Sequence, residues 1–71
     1  MRCSVYVDRD LVMSFEDQRS ALAFVREQFD DHLIVSDVWL EIGEGDGSEL
    51  LQGKRLLRRV RSVGGSSRLS V

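Results

Sequence analysis

The period of the hydrophobic pattern changes along the chain, and each change marks an expected element. In Cys3-Ser4-Val5-Tyr6-Val7 the residues at positions 3, 5 and 7 alternate with Ser4 and Tyr6, the period of two that a half-buried strand requires. Asp8-Arg9-Asp10 supplies turn chemistry. Leu11-Val12-Met13-Ser14-Phe15 then resumes the alternation, with Leu11, Met13 and Phe15 expected on one face. An N-terminal β-hairpin is the simplest assignment, with one long bent strand as the alternative. From Ser14 onward the period lengthens to 3.6. Ser14 is placed to cap a helix, and the acids Glu16 and Asp17 fall in its first turn, where the helix dipole favours them. Between Glu16 and Asp31, Ala21, Leu22, Val25 and Phe29 lie within about 100° of arc, with Phe24 at the margin. Arg19, Arg26, Glu27, Asp30 and Asp31 occupy the other side. This stripe predicts an amphipathic helix that must pack on something, because a helix of about four turns is marginal alone.

The run from Leu33 to Ile42 reads as the central strand, with Ile34, Val38, Leu40 and Ile42 facing the helix and Leu33, Val35, Asp37, Trp39 and Glu41 on the other face. Gly43-Glu44-Gly45-Asp46-Gly47 is a loop by composition. Residues 48–63 fit two readings. Ser48-Glu49 can cap a helix with Leu50, Leu56, Leu57 and Val60 on one stripe and Gly64-Gly65 as its stop. Alternatively, Gln52-Gly53 can turn a hairpin between Glu49-Leu50-Leu51 and Arg55–Val63. The arginines toward the C-terminal end favour the helix. The expected fold is therefore a small single α+β domain over 1–63: a β-hairpin, an amphipathic helix, a central strand, then a second helix or hairpin. Its sheet is antiparallel-rich with helix on one face. Residues 64–71 are expected as a flexible tail or a short extra strand.

Charge adds what the periodicity lacks. Residues 1–49 hold all 12 acidic side chains and four basic ones, a balance of −8, whereas residues 50–71 hold six basic side chains and no acid. Such asymmetry points to an interaction tail or to a basic element folded against an acidic body. The structural expectation is that the arginines after residue 50 pair with Asp30, Asp31, Asp37 and Glu41. No apolar run approaches the roughly 20 residues of a membrane span, so no membrane partner is expected. The first residues lack the apolar core of a secretion signal and a lone cysteine forms no internal disulfide, which makes a reducing cytoplasmic setting the expectation.

Catalytic and ligand motifs are weak. Gly47 and Gly53-Lys54 are separated by five residues and followed by Arg55, whereas a phosphate-binding P-loop needs four residues between its glycines and Ser or Thr after the lysine. Glu44, Asp46, Ser48 and Glu49 offer oxygen ligands for calcium without the spacing of an EF-hand loop. One histidine, His32, and one distant cysteine, Cys3, cannot close a zinc site on their own. His32 is expected at a helix C-terminus, and Cys3 as a buried thiol. Asp8 and Asp10 could form a carboxylate pair, but a turn after a strand collects acids for structural reasons. A chain of this length seldom encloses the roughly 300 Å³ of a small-molecule pocket. No enzyme activity, cofactor, metal or small-molecule substrate is expected.

The remaining function classes are binding classes. The first is a small interaction module, a regulator, inhibitor or immunity-type protein, that holds a protein partner through an acidic surface with an apolar anchor: Trp39, Asp37, Glu41 and Val35. The alternative is nucleic-acid binding through Lys54, Arg55, Arg58, Arg59 and Arg61, as a dimer presenting two basic elements. Leucines interleaved with the arginines and the absence of flanking aromatics weigh against that alternative. A chain this short without disulfide or metal gains stability by burying surface against a second copy, so a homodimer is expected.

Overall fold

The computed structural model of the protein describes residues 2–43 and 45–68, with side chains through Val63. It is a small α+β domain. Four strands, β1 (Cys3–Val7), β2 (Asp10–Phe15), β3 (Val38–Ile42) and β4 (Glu49–Gln52), form an antiparallel sheet in the order β2-β1-β3-β4. Three helices, α1 (Gln18–Gln28), α2 (Asp31–Ser36) and α3 (Gly53–Arg68), complete it. The core is the layer between the helices and one sheet face. There Cys3, Val5, Val38, Leu40, Ile42 and Leu51 meet Ala21, Leu22 and Val25 of α1, Ile34 of α2, and Leu56 and Val60 of α3. At its margin Phe24 lies between Phe15, tilted at 48°, and Phe29, edge-on at 82°, with ring centroids 5.3 and 6.1 Å away, geometry that suits the aromatic quadrupole.

The N-terminal hairpin is present, closed by Asp8 and Arg9 at φ 54° and 72°. Two positive φ angles make a turn whose twist matches the flanking strands. The facing expected along β2 is not what forms. Val5 pairs with Met13 but Tyr6 pairs with Leu11, so Val12 is an extra residue in a β-bulge. Because side chains alternate, the extra residue turns Leu11 to the face opposite Met13 and Phe15.

Three further expectations are corrected. Asp17, not Ser14, caps α1: its carboxylate accepts the Ser20 backbone N–H at 2.7 Å, while Ser14 stays in β2 with its Oγ 3.3 Å from that of Ser4. The central strand begins only at Val38. Asp30 accepts the Leu33 N–H at 2.8 Å and starts the short helix α2, which sends Ile34 into the core from the helical layer. A capping carboxylate satisfies the amides that a strand would have to pair with a neighbour. Leu33, Val35 and Asp37 therefore leave the sheet. His32 accordingly lies in the first turn of α2 rather than at a helix C-terminus.

The ambiguous segment takes half of each reading. Glu49–Gln52 is a strand paired with β3, and the helix starts at Gly53, whose φ of +63° makes the corner between them. Leu50 is thus a strand residue, not part of the helical stripe. The helix runs past Gly64-Gly65, the expected stop, to Arg68, so residues 64–68 of the expected tail continue α3. Residues 69–71 lie outside the described residues.

Candidate functional site

The sheet pairs place two rows of side chains on the face away from the helices. One row runs Leu11, Tyr6, Trp39, Gln52, and the other Ser14, Ser4, Glu41, Leu50. Their neighbours along each strand, such as Val5, Leu40 and Leu51, point into the core, so alternation puts these rows outside. Tyr6 and Trp39 are half-buried side by side at the centre, while Leu11 and Leu50 are 58% and 42% exposed at the two ends. The Tyr6 hydroxyl donates to Glu41 Oε1 at 3.3 Å, which fixes the phenol against the carboxylate and leaves both rings facing outward. Next to this face, β2 is an edge strand with Val12 and Met13 each 46% exposed.

Trp39 and Glu41 therefore share the surface that their period-two spacing implied. Asp37 and Val35 do not join it. Asp37 caps the end of α2, and its carbonyl accepts the Asp8 N–H at 3.0 Å. That bond sets Asp37 beside the hairpin tip, where Asp8 and Asp10 flank Arg9, so three carboxylates and one guanidinium share this end of the sheet. Val35 is exposed on α2 and lines a groove with Lys54, Leu57, Arg58 and Arg61. It belongs with the basic surface. Tyr6, Leu11 and Leu50 are the members of the open face that sequence reading missed; their common surface exists only through strand register, which is non-local.

The basic surface is the outer side of α3. Lys54, Arg55, Arg58, Arg59 and Arg61 are all exposed, while Leu56 and Val60 are buried and Leu57 is half-buried. Of the expected ion pairs with the acidic body, Arg61 with Asp31 forms at 2.7 Å, and Arg55 finds Glu49 at 3.5 Å. Asp30 is occupied as the α2 cap and Glu41 by Tyr6. Lys54, Arg58 and Arg59 have no ion-pair partner among the described residues. Arg58 lies between two shallow grooves, the one shared with Val35 and a second lined by Leu51, Arg55, Arg59 and Ser62.

The remaining candidates for chemistry are dispersed. Gly45–Gly47 forms a single 3₁₀ turn closed by the Ser48 N–H on the Gly45 carbonyl at 3.2 Å, and a strand follows it. A phosphate cradle needs a helix N-terminus after the loop, so that reading falls; Glu44 lies outside the described residues. Among the described residues no three His, Cys, Asp or Glu side chains gather at metal-binding distance. Cys3 is fully buried, and burial pushes its thiol pKa up, the opposite of what a nucleophile needs. No helix among the described residues is long and apolar enough to cross a membrane.

The fold and surfaces define a class, a four-stranded antiparallel sheet with helices on one face and a second face that no described residue covers. Comparison with protein-family models, with curated proteins and with solved structures yields no match.

Proposed function

We propose that the chain is a small non-enzymatic interaction module, a regulator or inhibitor, that binds a protein partner through the open face of its sheet. Trp39 and Tyr6 are the apolar anchors. Glu41, together with Asp37, Asp8 and Asp10 at the acidic end of the sheet, favours a partner that presents basic side chains around an apolar contact. The observation that carries this reading is the row Leu11, Tyr6, Trp39, which spans three adjacent strands on the face that no helix covers. Aromatic residues at the centre of a patch dominate binding energy, because they bury much area for little lost rotamer freedom.

Size sets how the partner must sit. Four strands about 4.8 Å apart and five residues at about 3.3 Å give a face of only about 300 Å² in plan. A stable interface takes roughly 800 Å² from each side. The partner therefore also has to cover the β2 edge, where Val12 and Met13 are exposed. A second copy of the chain meeting edge to edge along β2 is one such partner, whereas the homodimer expected from the small core would use the face bearing Trp39 and Val35 or the leucine-rich C-terminal segment.

The test compares wild-type protein with Trp39→Ala and Leu11→Ser variants. Sedimentation reads self-association, and affinity capture from an extract of the source cells reads a different partner. The expected result is one specific associate, either a second copy or a discrete protein, that both variants lose while their circular dichroism is unchanged. If the folded variants associate as the wild type does, the reading is wrong.

A further inference from the structure

The outer side of α3 carries a second, independent inference. We infer that it docks on the phosphodiester backbone of a nucleic-acid duplex, without reading base sequence. On a helix, Lys54, Arg58 and Arg61 fall in one row and Arg55, Arg59 and Ser62 in the next, together covering about 160° of arc. Residues four apart stand about 6 Å apart along the axis, so each row is a ladder of cations rather than a point charge. Four of the five basic residues are arginines, whose planar fork binds phosphate through two parallel hydrogen bonds.

Contacts among the described residues account for Arg61 and Arg55 at the margins of this array, but not for Lys54, Arg58 and Arg59. Lys54/Arg58, Arg55/Arg58, Arg55/Arg59 and Arg58/Arg61 are like-charged neighbours at three or four residues' spacing, and each such pair destabilises the helix. Arg58 takes part in three of them and has no acidic partner among the described residues. A row of phosphates would relieve this repulsion, and that is the complementarity on which the inference rests. The acids beside α3 are at its margins, Asp31 on Arg61 and Glu49 on Arg55, while Asp8, Asp10 and Asp37 lie at the hairpin end. A basic amphipathic helix could instead lie on an anionic membrane, but it would need its apolar stripe for the lipid. Here Leu56 and Val60 are consumed by the core. Of the aromatic side chains only Phe29 comes near the basic rows, half-buried in a groove it shares with Arg61 and engaged by Phe24, while Phe15 and Phe24 pack at the core and Tyr6 and Trp39 are on the opposite side of the sheet. Without a stacking platform for unpaired bases, a duplex backbone fits better than a single strand.

The test is titration of labelled duplex DNA and duplex RNA, each in two unrelated sequences, followed by fluorescence anisotropy at about 50 and 200 mM salt. On the outer side of α3, Lys54, Arg58 and Arg59 have no ion-pair partner among the described residues, so three phosphates should be neutralised. That predicts a slope of log K on log salt near −2.7, which is roughly a 40-fold loss of affinity over this range. Arg58→Ala with Arg59→Ala should reduce the slope to about −0.9. This variant removes repulsion, so its thermal melt should be no lower than that of the wild type, and misfolding cannot imitate the effect. Trp39→Ala should leave the titration unchanged, which separates this inference from the protein-binding reading of the sheet. Equal affinity for the two sequences supports backbone docking, with the DNA and RNA arms identifying which duplex is preferred. The inference is overturned if the folded protein fails to bind either duplex at the lower salt, or if the double variant binds as tightly as the wild type. It is also overturned if phosphatidylserine vesicles bind and the duplexes do not.

Discussion

Replacing Gly53 by alanine tests the corner on which the C-terminal third of the fold depends, and it does so through a sign. Were Gly53 an ordinary interior residue of one long helix, alanine would stabilise the protein by about 1 kcal/mol, because glycine is the weaker helix former. At φ +63° the reverse is expected. An L-alanine in left-handed backbone costs roughly 1–2 kcal/mol, offset by about 0.4–1 kcal/mol from the stiffer unfolded chain. A Cβ added there meets nothing within 4 Å, so no clash or new contact enters the sum. The net is a loss of roughly 0.5–1 kcal/mol, or about 2–8 °C in Tm for a domain of this size. Asparagine, which tolerates the left-handed region, should lose less. A D-alanine placed there by chemical synthesis has the matching handedness and should raise Tm instead. Thermal unfolding followed by circular dichroism measures all three. A Tm raised by L-alanine would refute the strand-to-helix corner, and with it the outward aim of the α3 arginines.

Other consequences of the structure are also measurable. Changing Asp8-Arg9 to Asn-Gly suits two positive φ angles better than the native pair and should stabilise the hairpin by about 1 kcal/mol in urea unfolding; an unchanged midpoint would argue against the turn. The Ser20 backbone N–H, and then its hydroxyl, hold the Asp17 carboxyl below its ordinary pKa. A lowered folded-state pKa contributes stability above the unfolded value that is lost as pH falls through the folded one. The advantage of wild type over Asp17→Asn should therefore be present at neutral pH and vanish below the usual carboxylate range. Asp17→Ala should be less stable than both at neutral pH. Desolvation pushes the Cys3 thiol above its ordinary pKa, so its contribution to stability is fully present below the unfolded value and lost as pH rises through the higher folded one. Iodoacetamide should modify Cys3 only as fast as the protein opens, and Cys3→Ser should cost about 1–3 kcal/mol by burying a hydroxyl in an apolar layer.

What the sequence disclosed follows from which signals are local. The α1 stripe of Ala21, Leu22 and Val25, the inward set Val38, Leu40 and Ile42, and the basic rows of α3 are periodicities within single elements, and each is where its spacing puts it. Leu33-Ile34-Val35 misled because branched apolar residues favour strands on average, whereas here Asp30 caps a helix only six residues long. Gly53 looked like a flaw in a helix or a turn in a hairpin; it is the hinge between one of each. The open-face patch was half legible. Trp39 and Glu41 share a strand, but Tyr6, Leu11 and Leu50 join them through register, and Leu11 arrives only because Val12 bulges out. A one-residue irregularity that reverses a side chain leaves no mark in a hydrophobic pattern.

The charge segregation is the feature that ties fold to function. If the basic C-terminal third existed to neutralise the acidic remainder, its cations would sit against carboxylates in partly buried pairs. The two pairs that form do not meet that description: Arg61 and Asp31 have side chains 66% and 62% exposed, and Arg55 and Glu49 70% and 52%. Pairs this wet contribute at most about 1 kcal/mol each and weaken with salt. Against them stand four like-charged neighbour pairs along α3, each unfavourable by about 0.2–0.5 kcal/mol. The two effects are of the same size, so the arginines add little net stability. Leu56 and Val60, by comparison, are fully buried and anchor the helix without help from charge. A helix that would hold its place with neutral residues on its outer side carries five cations there instead. Stability does not account for them, whereas the polyanion proposed above would.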